Sequence, residues 1–169
     1  MKATIHKENN DLIYFITFTV KNWYHIFDKN DRFRILSDTL TFFQKNQGLK
    51  IFAYVFMLNH VHLIIQSRDN NIIKFVRDFK RWTSSKIKEN LIKYEPSVLK
   101  LFLDQHNNYS FWQDTNKPEI IATDKFFEQK LNYIFNNPVK KGYVDRPEYW
   151  KWSSANENSE IKINGFDLY

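Results

Sequence analysis

The chain has 169 residues, 18% of them aromatic, with 25 Lys and Arg against 19 Asp and Glu, a net charge of +6 and a pI of about 9.3. That length suits one domain, residues 1–169, with a core large enough to need no staples. The absence of cysteine excludes disulfides, thiolate zinc centres and cysteine nucleophiles and points to a reducing cytoplasm, while the basic balance fits a polyanionic partner such as nucleic acid.

Residues 12–21 alternate Tyr14, Ile16, Phe18 and Val20 with Ile13, Phe15, Thr17 and Thr19, which predicts a strand apolar on both faces and covered from two sides. The run is too short and too often interrupted by threonine to span a membrane, and no cleavage-site pattern follows it, so the expectation is a soluble, unprocessed chain without a membrane partner. Asn30 or Asp31 can cap a helix to about residue 46, with Gly48 just past its end; Phe33, Leu36, Leu40 and Phe43 form its core stripe.

Residues 50–57 predict the second strand, and 54–66 read as a tight hairpin broken at Leu58-Asn59, with the third strand running from His60 to Gln66. Side chains alternate along a strand, so His60 and His62 share one face while Val61, Leu63 and Ile65 line the other. Two imidazoles on one sheet face are half of a metal site, or simply a pair of surface histidines.

From Asn70 or Asn71 a long helix runs to about residue 91, with Ile72, Phe75 or Val76, Phe79, Trp82 or Thr83, and Ile87 as its apolar stripe. Its other side carries Lys74, Arg77, Lys80, Arg81 and Lys86, which suit phosphate contacts or a solvated face. Residues 94–108 read as irregular and 109–113 as a short fourth strand. Thr123 or Asp124 caps a last helix that carries Phe127, Leu131, Ile134 and Phe135 and is expected to stop against Pro138.

This order of elements predicts an α+β, ferredoxin-like βαββαβ antiparallel sheet with two helices on one face, leaving the histidine face for the last helix. On that helix Tyr133 and Asn137 lie four apart, one above the other and away from the apolar stripe. Two neutral imidazoles and an amide oxygen suit a divalent cation such as Mg²⁺ or Mn²⁺, which acts on phosphorus as a Lewis acid. A tyrosine hydroxyl is mostly protonated at neutral pH and needs such activation to attack.

The stretch from Tyr54 to His62, ending His60-Val61-His62, resembles the HUH motif of single-strand DNA transposases. Residues 131–144, containing Tyr133 and Asn136-Asn137-Pro138-Val139, with Phe111-Trp112-Gln113 before them and Trp152-Ser153-Ser154-Ala155 after, resemble the REP-associated tyrosine transposases of that superfamily. The resemblance covers residues 13–155. It implies a metal-dependent single-stranded DNA endonuclease and strand transferase that acts on DNA bearing hairpins, often REP palindromes, with Tyr133 attacking a phosphodiester to give a 5′-phosphotyrosine and a free 3′-hydroxyl. It also implies that His60 and His62 hold the metal. Asn137 matches the family's polar ligand one turn after the tyrosine, and Glu119 lies near a position where some relatives carry histidine, so both remain candidates for the third ligand. Leu58 stands where many relatives carry proline, which would loosen the turn. The active site of such proteins can be built within one chain or with a partner's tyrosine helix, so monomer and homodimer are both open.

The competing expectation is a non-catalytic ferredoxin-like nucleic-acid module with Phe52, Tyr54 and Phe56 as its stacking platform. Trp82, Trp112, Trp150 and Trp152 are further candidates to stack on unpaired bases, each also eligible for the core. No histidine begins a His-x-Ser/Thr motif, which excludes a two-histidine phosphoesterase.

Overall fold

The alternation at the start of the chain becomes β1 (Ile13–Thr19) in a computed structural model that describes residues 12–165. Tyr14, Ile16 and Phe18 enter one core and Ile13 and Phe15 another, so the strand is covered on both faces. It lies inside a four-stranded antiparallel sheet ordered β2-β3-β1-β4, with β2 at Lys50–Phe56, β3 at His60–Gln66 and β4 at Glu119–Ile120. This is the expected ferredoxin-like α+β arrangement.

The larger core is closed by α1 (Arg32–Gln47) and α2 (Ile72–Tyr94), whose Leu36, Leu40, Phe75 and Phe79 pack over Val61, Leu63 and Ile65. Asp31 takes the N-cap position of α1 without a side-chain cap bond, and the helix ends at Gly48, whose φ of 65° suits a residue without Cβ. Asn71 caps α2 by accepting from the Lys74 amide at 3.0 Å. The stripe of α2 runs through Thr83, while Trp82 stays 43% exposed and stacks on Phe42. Buried Arg32 ties the start of α1 to Glu95 just past α2, and its guanidinium holds the Glu95 carboxyl below the usual range.

On the opposite face Ala53, Val55, Met57 and Ile64 meet Phe127 and Ile134 of α4 (Asp124–Lys140). The β2–β3 register shifts between Ile51 and Ala53, which puts both Phe52 and Ala53 towards α4 before alternation resumes. Tyr54 and Phe56 consequently point into the α1–α2 core at 2% and 0% exposure. Two of the three platform residues of the non-catalytic alternative are therefore inside the core, and Phe52 is half-buried on the α4 side.

Two expectations need correction. The expected strand at 109–113 contributes only isolated bridges, Val20 to Trp112 and Leu103 to Tyr109, and the ladder that completes the sheet is Glu119–Ile120. Phe111 and Trp112 are spent on the core, with Trp112 Nε1 donating to Thr83 Oγ1 at 3.0 Å, and Pro118, which has no N–H, precedes the ladder. Helix α4 likewise does not stop at Pro138 but continues to Lys140. The helix ends through backbone bonds from Gly142 to Val139 and from Tyr143 to Pro138, with Gly142 at φ 72°.

Residues 94–108 are not wholly irregular, since Pro96–Leu99 forms a short helix, α3. The C-terminal segment covers the edge of β2: Phe56 donates its amide to Trp152 O, Ser154 to Tyr54 O and Asn164 to Ile51 O. Trp150 and Trp152 are core-facing, Trp150 Nε1 donating to Phe56 O and Trp152 stacking on Phe33. Among the described residues no helix is long and apolar enough to cross a membrane.

Candidate active site

The β2–β3 hairpin is pinned where the sequence predicts a loosened turn. Leu58 O accepts from the Ile26 and Phe27 amides, and Asn59 Nδ2 donates to Trp23 O at 2.9 Å. That bond turns Asn59 Oδ1 towards His60 Nδ1, 2.7 Å away, so Nδ1 must be the donor and Nε2 keeps its lone pair. One residue pair along, Thr17 on β1 faces His62 in register and its Oγ1 lies 2.7 Å from Nδ1. A hydroxyl can accept or donate, and the tautomer in which Nδ1–H donates to Thr17 leaves His62 Nε2 free as an acceptor.

Both imidazoles are buried, at 7% and 4% exposure, with ring centroids 4.8 Å apart. Burial pushes His60 down to about 4, opposed in part by Asn137 beside it and assisted by Lys141 and His25. Burial also pushes His62 down to about 3, assisted by His60 and Lys130. Both rings are therefore neutral near pH 7, the state in which imidazole binds a metal.

Helix α4 brings the other half. Tyr133 makes T-shaped ring contacts with His62 at 5.0 Å between centroids and with Phe15 at 5.9 Å, and remains 41% exposed. One turn on, Asn137 is buried against the sheet beside His60, yet its Oδ1 makes no hydrogen bond. His62 Nε2 is also buried without a partner. A buried polar atom left unpaired costs about 1–3 kcal/mol, and here an acceptor nitrogen and an acceptor oxygen are unpaired in the same small region. Two acceptors cannot satisfy each other, whereas a cation satisfies both, so the donor set fits a divalent metal.

The other sequence candidates fall elsewhere. Glu119 borders the groove outside Tyr133, but its carboxylate pairs with Lys130 Nζ at 3.0 Å. Among the described residues no three His, Asp or Glu side chains gather as a metal group, so Glu119 does not join the histidines, whereas Asn137 lies beside His60. Lys74, Arg77 and Arg81 surround Asp78, Lys80 donates to Gln113 O, and Lys86 pairs with Glu89. All five cations lie on α2, in the layer on the far side of the sheet from His60 and His62.

Thr17 is the site residue that motif spacing missed. Its signal is faint: Thr17 and Thr19 are the two polar side chains of an otherwise apolar strand, on the face that meets the histidines.

The family described as "Transposase IS200 like" matches residues 8–134 of this chain, from before β1 into α4. The chain belongs to that family. Within the IS200-like transposases it is similar to a Haemophilus influenzae protein provisionally named a REP-associated tyrosine transposase, 26% identical over 114 residues. That match covers 66% of this chain and 61% of the relative, so it spans less than two thirds of the relative's length. Its fold is similar to a solved REP-associated tyrosine transposase bound to a REP hairpin, with a TM-score of 0.66, 18% identity and coverage of 99% and 96% of the two chains. A Deinococcus radiodurans structure provisionally described as a transposase gives a TM-score of 0.50 at 19% identity, covering 80% of this chain and 97% of the other. These two likenesses concern the fold.

The buried histidines also set a stability profile for this IS200-like protein. Their folded values lie below the ordinary 6.5, so the unfolded chain takes up protons first as pH falls. Their contribution is fully present above about pH 6.5 and is lost progressively as pH falls through about 4 for His60 and about 3 for His62, amounting to several kcal/mol at about 1.4 kcal/mol per unit. Thermal melts across that window should show the decline, and a His60→Gln/His62→Gln double variant should flatten it. An unchanged slope in the double variant would rule the histidines out as its cause.

Proposed function

We propose that this protein is a metal-dependent single-stranded DNA endonuclease and strand transferase in which Tyr133 is the nucleophile and the product is a 5′-phosphotyrosine link. The observation that carries the reading is the meeting, within one chain, of an exposed tyrosine, two buried neutral imidazoles and an unpaired buried amide oxygen. Membership of the IS200-like transposases supports it.

In this reading His60, His62 and Asn137 would hold Mg²⁺ or Mn²⁺, which when bound supplies Lewis acidity to a phosphodiester oxygen. Asn59 fixes the His60 ring from behind and keeps its Nε2 unprotonated, and Thr17 holds the His62 ring through Nδ1. Tyr133 Oη forms the new bond to phosphorus and gives up its proton to water. The bond from phosphorus to the 3′-oxygen breaks, and that oxygen leaves with the electron pair and takes a proton to become a hydroxyl. The phosphodiester bond energy is conserved in the phosphotyrosine, so the same exchange in reverse rejoins DNA.

The solved relative is bound to a REP hairpin, and we take hairpin-bearing single-stranded DNA of that kind as the substrate, met in the cytoplasm. Because Tyr133 touches His62 of its own chain, the reading also assigns the reaction to one subunit acting in cis.

Purified protein incubated with Mn²⁺ and a single strand carrying a REP-like hairpin should nick the strand and acquire covalently bound DNA that survives boiling in detergent. Neither product should form with chelator. Nicking without covalent attachment would replace the tyrosine mechanism by direct hydrolysis.

A further inference from the structure

Outside Tyr133 a groove of about 800 Å³ runs along α4. Gln129, Asn132, Asn136 and Lys140 line it, at the helical spacing that makes one continuous stripe of roughly 16 Å at about 1.5 Å per residue. The stripe is separate from Phe127 and Ile134, which face the sheet. Tyr133 sits within it, so a strand lying in the groove passes the nucleophile with amides on both sides.

The groove has little to offer by stacking. One face of Phe15 packs on His62, centroids 5.6 Å apart and 17° between planes, and Lys130 Nζ lies 4.1 Å from the ring centroid. It also has little charge: among the described residues that line it, Lys130 is neutralised by Glu119, leaving Lys140 to meet a phosphate. Three amides on one wall are thus its principal chemistry. Amide side chains pair with base edges, and adenine, with its amino donor beside a ring acceptor, is the base that Asn and Gln hold in two-point fashion. Asn136 Nδ2 donates one hydrogen to Asn132 O at 2.9 Å, which leaves its second N–H and its Oδ1 for such a two-point contact.

We infer that the α4 amide stripe is a base-reading surface, selecting adenine among the nucleotides immediately flanking the phosphate that Tyr133 attacks. This rests on the function proposed above, and it assigns sequence choice to Gln129, Asn132 and Asn136 rather than to the cations of α2.

The experiment uses the Tyr133→Phe protein, which binds without cutting, and a pool of single strands in which a randomised segment adjoins a REP-like hairpin. Sequencing the bound fraction gives an enrichment for each base at each position, a ratio internal to each reaction. Adenine should be enriched at one or two adjoining positions, and Asn132→Ala or Asn136→Ala should reduce that enrichment about tenfold, with Asn132→Gln restoring part of it. Lys140→Ala should weaken binding of all sequences together and leave the ratios as they are. Enrichment of another base, or adenine enrichment that survives both alanine variants, would overturn the inference while leaving the nuclease reading standing. Failure of the pool to bind at all would overturn both.

Discussion

Tyr133→Phe should abolish covalent attachment to DNA, by at least about a thousandfold, and leave the fold as it is. The change removes one hydroxyl from a side chain that is 41% exposed, and substitutions of that kind usually alter stability by no more than about 0.5 kcal/mol. The T-shaped ring contacts with His62 and Phe15 survive, since the aromatic ring is common to both residues. Melting temperature and DNA binding should therefore match the parent while the detergent-stable adduct disappears. Tyr143 and Tyr149 are also exposed on the segment after α4, at 37% and 60%, so persistence of the adduct would send the nucleophile there.

The second large effect concerns the metal. Saturating a site present only in the folded state stabilises the protein by about 2.7 kcal/mol at a hundredfold excess over Kd, so Mn²⁺ or Mg²⁺ should raise the melting temperature of the parent. His62→Gln and Asn137→Ala should each remove that rise together with nicking, because each deletes one of the two unpaired acceptors. Glu119→Gln should keep it, because the Glu119 carboxylate is occupied by Lys130. Loss of the rise in Glu119→Gln and its retention in Asn137→Ala would exchange the two as third ligand. Thr17→Val leaves all three donors in place but frees the His62 ring to turn. It should weaken the metal response about 10–100-fold, the usual cost of losing such an orienting partner.

Much of this site is legible from period alone. The hairpin break at Leu58-Asn59 and the alternation after it place β3 at His60–Gln66, and the face shared by His60 and His62 follows from two-residue periodicity. The spacing of four between Tyr133 and Asn137 likewise survives into the structure as a Tyr above an Asn, over those histidines.

What period could not supply is partner choice. Trp112 reads as a strand residue, but its bulk and its indole N–H are used on Thr83, across the core, so the ladder forms later at Glu119–Ile120. Pro138 reads as a stop because it has no N–H to give, yet in the last turns of a helix the loss is one bond, and Gly142 supplies the actual ending. Thr17 carries no motif, and its role becomes visible only once β1 and β3 are in register. The cations of α2 show the opposite case. Their face follows from the stripe that α2 buries over Val61, Leu63 and Ile65, so their separation from the histidines was available in the sequence itself.

The site also sits uneasily with stability. Two buried imidazoles, an unpaired nitrogen and an unpaired amide oxygen are arrangements a purely structural core avoids. Their cost is offset by the aromatic core on the other side of the sheet, where Phe18, Phe79 and Trp112 interlock.

The most direct measurement is mass spectrometry of the trypsin-digested protein–DNA adduct. Cleavage after Lys130 and Lys140 releases residues 131–140, a peptide whose single tyrosine is Tyr133. A nucleotide joined through phosphate to that tyrosine is the predicted result. An adduct mapped to residues 142–151, the peptide that holds both Tyr143 and Tyr149, or nicked DNA with no adduct on any peptide, would contradict it.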